Sequence, residues 1–292
     1  MVYKLPHQPP VNSRLNTELT ISLLYHDIFD FPLKKQELAR WICGPALKLK
    51  KPRPKISLIG DYYVLTGREG TVAQRLKKEQ VSRRKMQTLS KIRPIFESEK
   101  NVLMVGLTGS LAMNSATEAS DIDLMVIVKK GRLWATRLKV LLLLIKHKIP
   151  TRRARESVEQ DKLCLNIWMD ETDLMIKDHN AYTAHELAQV VPLINKNHLY
   201  EKLIETNKWI LNYWPNCLEV KSLAPQDSGY RLDFLRLILE KLAYWFQLAY
   251  MYPKRTREII SPTRAFFHPM DWSKKLLGDL ENRGVVHVEA TS

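Results

Sequence analysis

The chain has 292 residues, of which 45% are hydrophobic and 26% charged; it can bury a proper core, and it exceeds the usual single-domain size, so two or three units are expected. An excess of 46 lysines and arginines over 31 acids gives a net charge of +15, which favours polyanions such as nucleic acid or nucleotides but also fits a solvated basic surface. Three prolines and no apolar signal core near the start argue against a secretory leader, no segment reads as a membrane span, and the scattered Cys43, Cys164 and Cys217 fit reduced thiols of a cytoplasmic protein.

In chain order, residues 17–25 carry apolar side chains at helical spacing, Asp30-Phe31-Pro32 makes a break, and residues 34–42 form a second short helix. Residues 56–59 and 62–65 read as a hairpin turning at Gly60-Asp61. Helix, turn, helix and a two-stranded wing resemble a winged-helix domain, a fold used both for DNA binding and for protein contacts, and a unit is assigned to residues 12–70. The second helix, with Lys34, Lys35 and Arg40 exposed, is then a recognition helix or equally a docking face. A long charged helix over residues 71–98 connects this unit to the rest. Its Arg75, Lys77, Lys78, Arg83, Arg84 and Lys85 form a basic face, and Val81, Met86, Leu89 and Ile92 pack inward.

Residues 102–108 then read as a buried strand, and Gly109-Ser110 is where it turns into a helix through Leu111, Ala112 and Met113. Such a turn offers backbone N–H groups to a phosphate, although Gly109 could simply end the strand and Ser110 cap the helix. Ten residues further on stands Asp121-Ile122-Asp123, leading into an apolar strand with Leu124, Val126 and Val128. Alternate side chains of a strand share a face, so the two carboxylates point at a common spot. Asp121 could belong to the preceding turn, but Asp123 lies inside an apolar run, where a lone carboxylate costs several kcal/mol unless partnered. A divalent cation is the simplest partner.

Strand, Gly109-Ser110, ten residues and Asp121-Ile122-Asp123 on a second strand resemble the signature of the nucleotidyltransferase superfamily related to DNA polymerase beta. The resemblance implies an α+β fold with a mixed-sheet core, here residues 99–180, flanked by the winged-helix-like unit and a helical C-terminal unit. It implies that Gly109 and Ser110 bind the triphosphate and that Asp121 and Asp123 hold Mg²⁺. The implied reaction moves a nucleoside monophosphate from an NTP, ATP foremost, to a hydroxyl of RNA, protein or a small molecule, with release of pyrophosphate. A third carboxylate on a later strand completes the family's site, and at that place, in the strand over residues 163–169, this chain has Asn166. An amide carries no charge and is no base near neutral pH. Asp161 and Glu186 are possible replacements. The alternative is a catalytically inactive member that binds DNA, RNA or a partner protein through its basic surfaces.

After the aspartates, a helix over residues 133–145 covers the sheet, and Arg132, Trp134 and Arg137 at its start either meet a nucleotide or pack as an ordinary helix beginning with solvated arginines. From Ala181 to residue 292 the chain reads as helical. Thr183 caps residues 184–191 and Pro192 ends them; His185 and Gln189 share a face of that helix, read as solvent-exposed or as lining the cleft. Residues 232–252 form a core helix, a last short helix covers residues 272–280, and His268 beside Phe266 and Phe267 reads as a structural histidine.

Overall fold

The computed structural model describes residues 13–152, 156, 159–218, 234–252, 258–267 and 272–288; His268 and the basic cluster at 254–257 lie outside them. The N-terminal part contains α1 (Ser13–Asp27), β1 (Leu33–Lys34), α2 (Lys35–Arg40), β2 (Leu47–Leu49), β3 (Ile56–Ile59) and β4 (Tyr62–Leu65). The hairpin of β3 and β4 forms with the expected pairing, and β1 joins the other side of β4 in an antiparallel sheet. The second helix is not free in the way its basic residues suggest. Arg40 donates to the carbonyl oxygens of Ala188 and Cys217, each at 3.2 Å, and stacks over Trp41. Lys34 reaches Glu79, which leaves Lys35 as the exposed one of the three.

The connecting helix, α3 (Thr71–Ser98), buries Arg75, Glu79, Ser82, Lys85, Leu89, Ile92 and Phe96, at steps of three or four. Two residues expected on its basic face therefore point inward, while Met86, expected inside, is exposed. The reason is partner supply. Arg75 bonds Glu37 at 2.7 Å and Glu79 at 3.0 Å and lies over the ring of Phe31. The Lys85 ammonium, with three protons to donate, finds Asp161 at 2.6 Å and the carbonyl oxygens of Glu118 and Ser120.

Next come β5 (Val102–Leu107), α4 (Gly109–Ala112), β6 (Ile122–Val128), α5 (Leu133–Lys146), β7 (Leu163–Asp170), α6 (Ala181–Ala188), β8 (Val191–Asn195), α7 (Leu199–Thr206), α8 (Phe234–Met251), β9 (Ile259–Ser261), β10 (Arg264–Phe266), α9 (Trp272–Asn282) and β11 (Val285–His287). A six-stranded sheet runs β8-β5-β6-β7-β10-β9; β6 and β7 are parallel and the other neighbours antiparallel. The expected mixed α+β architecture is thus found. β5 and β6 are apolar on both faces because both faces are covered. Leu124, Val126 and Val128 pack with α3 and α5, and Met125 and Ile127 pack toward α6 and α1.

The segment from Ala181 is not purely helical: β8, β9 and β10 extend the central sheet, and β11 pairs with β2. Pro192 lies inside β8 instead of ending a helix. It is tolerated there because β8 is an edge strand, where a missing N–H breaks no inner ladder. α6 starts one turn earlier than expected, and its cap is the side chain of Asn180, which accepts from the Thr183 N–H at 2.9 Å. α8 is not a core helix but a surface one, with much of its apolar side chain area exposed.

Candidate active site

The strand order brings three chain segments to one edge of the sheet. Because β5 and β6 are antiparallel and β6 and β7 parallel, the end of β5 meets the starts of β6 and β7. Thr108 donates its N–H to the Asp123 carbonyl at 3.0 Å, and Asp123 stands opposite Cys164 in the register. Immediately after β5 the backbone turns at Gly109 with a φ of 64°. A Cβ at this position would collide with the Asp123 carboxylate; glycine is required by the left-handed conformation and again by the close approach. Ser110 follows, exposed to solvent in the single turn of α4.

Asp121, Asp123 and Cys164 each bring one potential ligand atom to within 4.8 Å of the others. The aspartates thus converge as the strand alternation predicts. The Asp123 carboxyl is pushed up to about 7, first by burial and then by the neighbouring charge of Asp121. Its Oδ1 accepts from the Asn166 amide at 2.9 Å, whereas the Asn166 Oδ1 is buried with no hydrogen-bond partner. Asp121 accepts from Arg152 at 2.9 Å, and Arg152 also pairs with Glu159. Burial raises the Cys164 thiol well above its ordinary range, so it stays neutral beside the acids.

These residues fit one hard divalent cation. Two converging carboxylates and an unsatisfied amide oxygen beside them are oxygen donors of the kind Mg²⁺ takes, while a neutral thiol is a poor ligand for it. Arg152 already supplies one positive charge to Asp121, so the pair is partly compensated without a metal.

The third carboxylate is absent from β7, as Asn166 foretells. Asp161 is engaged elsewhere, on Lys85. Lys85 also holds the Ser120 carbonyl, next to Asp121, and so anchors the loop that delivers the pair. By strand alternation Asp123 faces the same layer as Met125 and Ile127, and that layer contains α6. There the Glu186 carboxyl is pushed up to about 8 by burial and then by the charge of Asp123, and accepts from the Gln189 amide at 2.7 Å. Tyr182, one turn before, is raised by burial, then by Glu186 and Asp123. The i, i+4 spacing of Tyr182 and Glu186 was the signal in the sequence that both share one helix face.

Other expected neighbours are placed elsewhere. His185 and Gln189 are buried, not on an exposed face; the His185 ring stacks on Trp41 with centroids 4.0 Å apart, and its Nε2 is 3.1 Å from that of His26. Trp134 is buried with its indole donating to the Ser261 carbonyl, and Arg137 bonds Gln247 and stacks on Phe267, so the start of α5 is packed and its Arg137 is not solvated.

A comparison with known families agrees with the geometry of this edge. The model of the polymerase beta nucleotidyltransferase family matches residues 90–180. Residues 90–180 are a polymerase-beta-type nucleotidyltransferase domain. No curated protein and no solved structure matches the chain. The nucleotidyltransferase domain so defined holds Gly109, Ser110, Asp121 and Asp123, and it stops short of α6 and Glu186. Among the described residues no helix is long and apolar enough to cross a membrane.

Proposed function

We propose that the protein is a divalent-metal-dependent nucleotidyltransferase that moves a nucleoside monophosphate from an NTP, ATP foremost, to a hydroxyl acceptor and releases pyrophosphate. The observation that carries this reading is the convergence of Asp121 and Asp123 against the Gly109-Ser110 turn. Gly109 lets the triphosphate approach the backbone and the Ser110 hydroxyl donates to a phosphate oxygen. Asp121 and Asp123 hold the cation, which when bound neutralises charge on the phosphates and aligns the acceptor hydroxyl with the α-phosphorus. Glu186 is the carboxylate that replaces the missing one of β7, and with its proton affinity near neutrality it can take the acceptor's proton.

The acceptor belongs to the polyanion or protein class that a +15 chain attracts. The N-terminal helices with the β1-β4-β3 sheet, a winged-helix-like arrangement, form the unit that contacts it. The protein works in the cytoplasm, where its three free thiols stay reduced.

The test is label transfer from α-labelled ATP with Mg²⁺ or Mn²⁺ and a cell lysate as acceptor source. Asp123→Ala is expected to lower transfer and pyrophosphate release by at least about 100-fold while circular dichroism is unchanged; full activity in this variant defeats the assignment. A second reading, a non-catalytic member that binds nucleic acid or a partner protein, is favoured by Arg152 on Asp121 and by Asn166 standing in β7 where the family has a carboxylate. Metal-dependent NTP binding without any transfer, together with salt-sensitive RNA or DNA binding, selects it.

A further inference from the structure

α8 is built inside out. Its polar Glu240 and Gln247 face the protein: the Glu240 carboxylate accepts the N–H groups of Trp134 and Ala135 at the N-terminus of α5, at 2.6 and 3.0 Å, and the Gln247 amide donates to the Trp134 carbonyl at 2.8 Å. These bonds fix the rotation of the helix about its axis. Six large apolar side chains then face outward, Leu235, Ile238, Leu239, Leu242, Trp245 and Phe246, each 40% to 66% exposed.

The outward positions Leu235, Leu239, Leu242, Phe246 and Ala249 follow steps of four, three, four and three. This is the spacing of a coiled-coil seam. Such a stripe is complementary to a copy of itself related by a two-fold axis, since the same knobs and holes occur on both sides. The six side chains expose together roughly 700 Å², taking about 150–250 Å² for each whole aromatic. That exceeds the usual largest patch of a monomer, about 300–600 Å², and approaches the ~800 Å² per partner of a stable interface.

We propose that the outer face of α8 is the interface of a homodimer, occupied by α8 of a second copy. The interface is apolar and each chain carries a charge of +15, so added salt screens the mutual repulsion and tightens the dimer. A nucleic-acid contact responds in the opposite direction.

Light scattering coupled to gel filtration of the full chain tests this. The wild type is expected at twice the 34.1 kDa chain mass, and Leu242→Glu/Phe246→Glu at 34.1 kDa with unchanged circular dichroism. A wild-type chain that stays at the single mass at every concentration, or a double variant that remains dimeric, overturns the proposal. Leu242→Cys gives a second measurement that needs no disruptive change, because Cys43, Cys164 and Cys217 are free but buried. Under oxidant this variant is expected to run as a disulfide-linked dimer in a non-reducing gel and the wild type as a monomer; failure of Leu242→Cys to cross-link counts against the interface.

Discussion

α6 and α8 are two helices of the same half of the chain, and each turns inward a face richer in polar groups than burial alone would select. α6 buries His185 and Gln189 and half-buries Glu186, whereas α8 exposes Leu239, Leu242 and Phe246. The difference lies in what each helix meets. α6 packs between the sheet and α1, where Asn180 caps it and His26, Trp41 and Gln189 satisfy its polar groups. α8 meets the N-terminus of α5, whose unpaired N–H groups attract a carboxylate more strongly than an apolar side chain attracts the same surface. Specific donors and acceptors, not the share of apolar residues, set the rotation of both.

The contrast is most easily broken at His185. His185→Ala removes a ring stacked on Trp41 and leaves the His26 Nε2 without its partner, at an expected cost of about 2–4 kcal/mol in urea unfolding; a cost below about 1 kcal/mol would mean that the buried pair is incidental. Acid acts on the same pair. Burial pushes His26 down to about 3, and burial with the adjacent His26 and Arg40 lowers His185. Below an unfolded value near 6.5 the unfolded chain takes up protons that the folded chain refuses. The stability from these groups is therefore complete above that pH and falls as pH drops, by about 1.4 kcal/mol per pH unit for each histidine. Urea midpoints that stay flat between about pH 7 and about pH 5 contradict this.

On α8 the effects are smaller and of opposite kind on its two sides. Glu240→Leu uncaps α5 and is expected to cost about 1–2 kcal/mol by thermal unfolding. On the outer side, Trp245→Ser measured at high dilution is expected to change stability by less than about 0.5 kcal/mol. Equal losses on the two faces would erase the distinction between an inner polar face and an outer apolar one.

The nucleotidyltransferase edge was largely legible because its signals are local. β5, the Gly109 turn, β6 and β7 show as apolar runs punctuated by glycine and acids, and the Asp121/Asp123 pair needs only the two-residue alternation of a strand. Asn166 in place of an acid was visible because the resemblance to the nucleotidyltransferase superfamily implies a carboxylate on that strand. β2, β8, β9, β10 and β11 were not, because strands of three to five residues carry little periodicity and take their shape from partners distant in sequence. The burial of Arg75 and Lys85 was hidden for a related reason: the groups that neutralise them include Glu37 and Asp161, on other elements. Arg152, which grips Asp121, precedes β7 without any motif to mark it.

The pairing of β2 with β11 joins residues 47–49 to residues 285–287. During synthesis at about 5–20 residues per second, Leu47 and Ala46, buried in the finished molecule, wait on the order of tens of seconds for the strand that covers them. Closure of this clasp therefore cannot precede the synthesis of β11, and until then the edge of β2 lacks its partner.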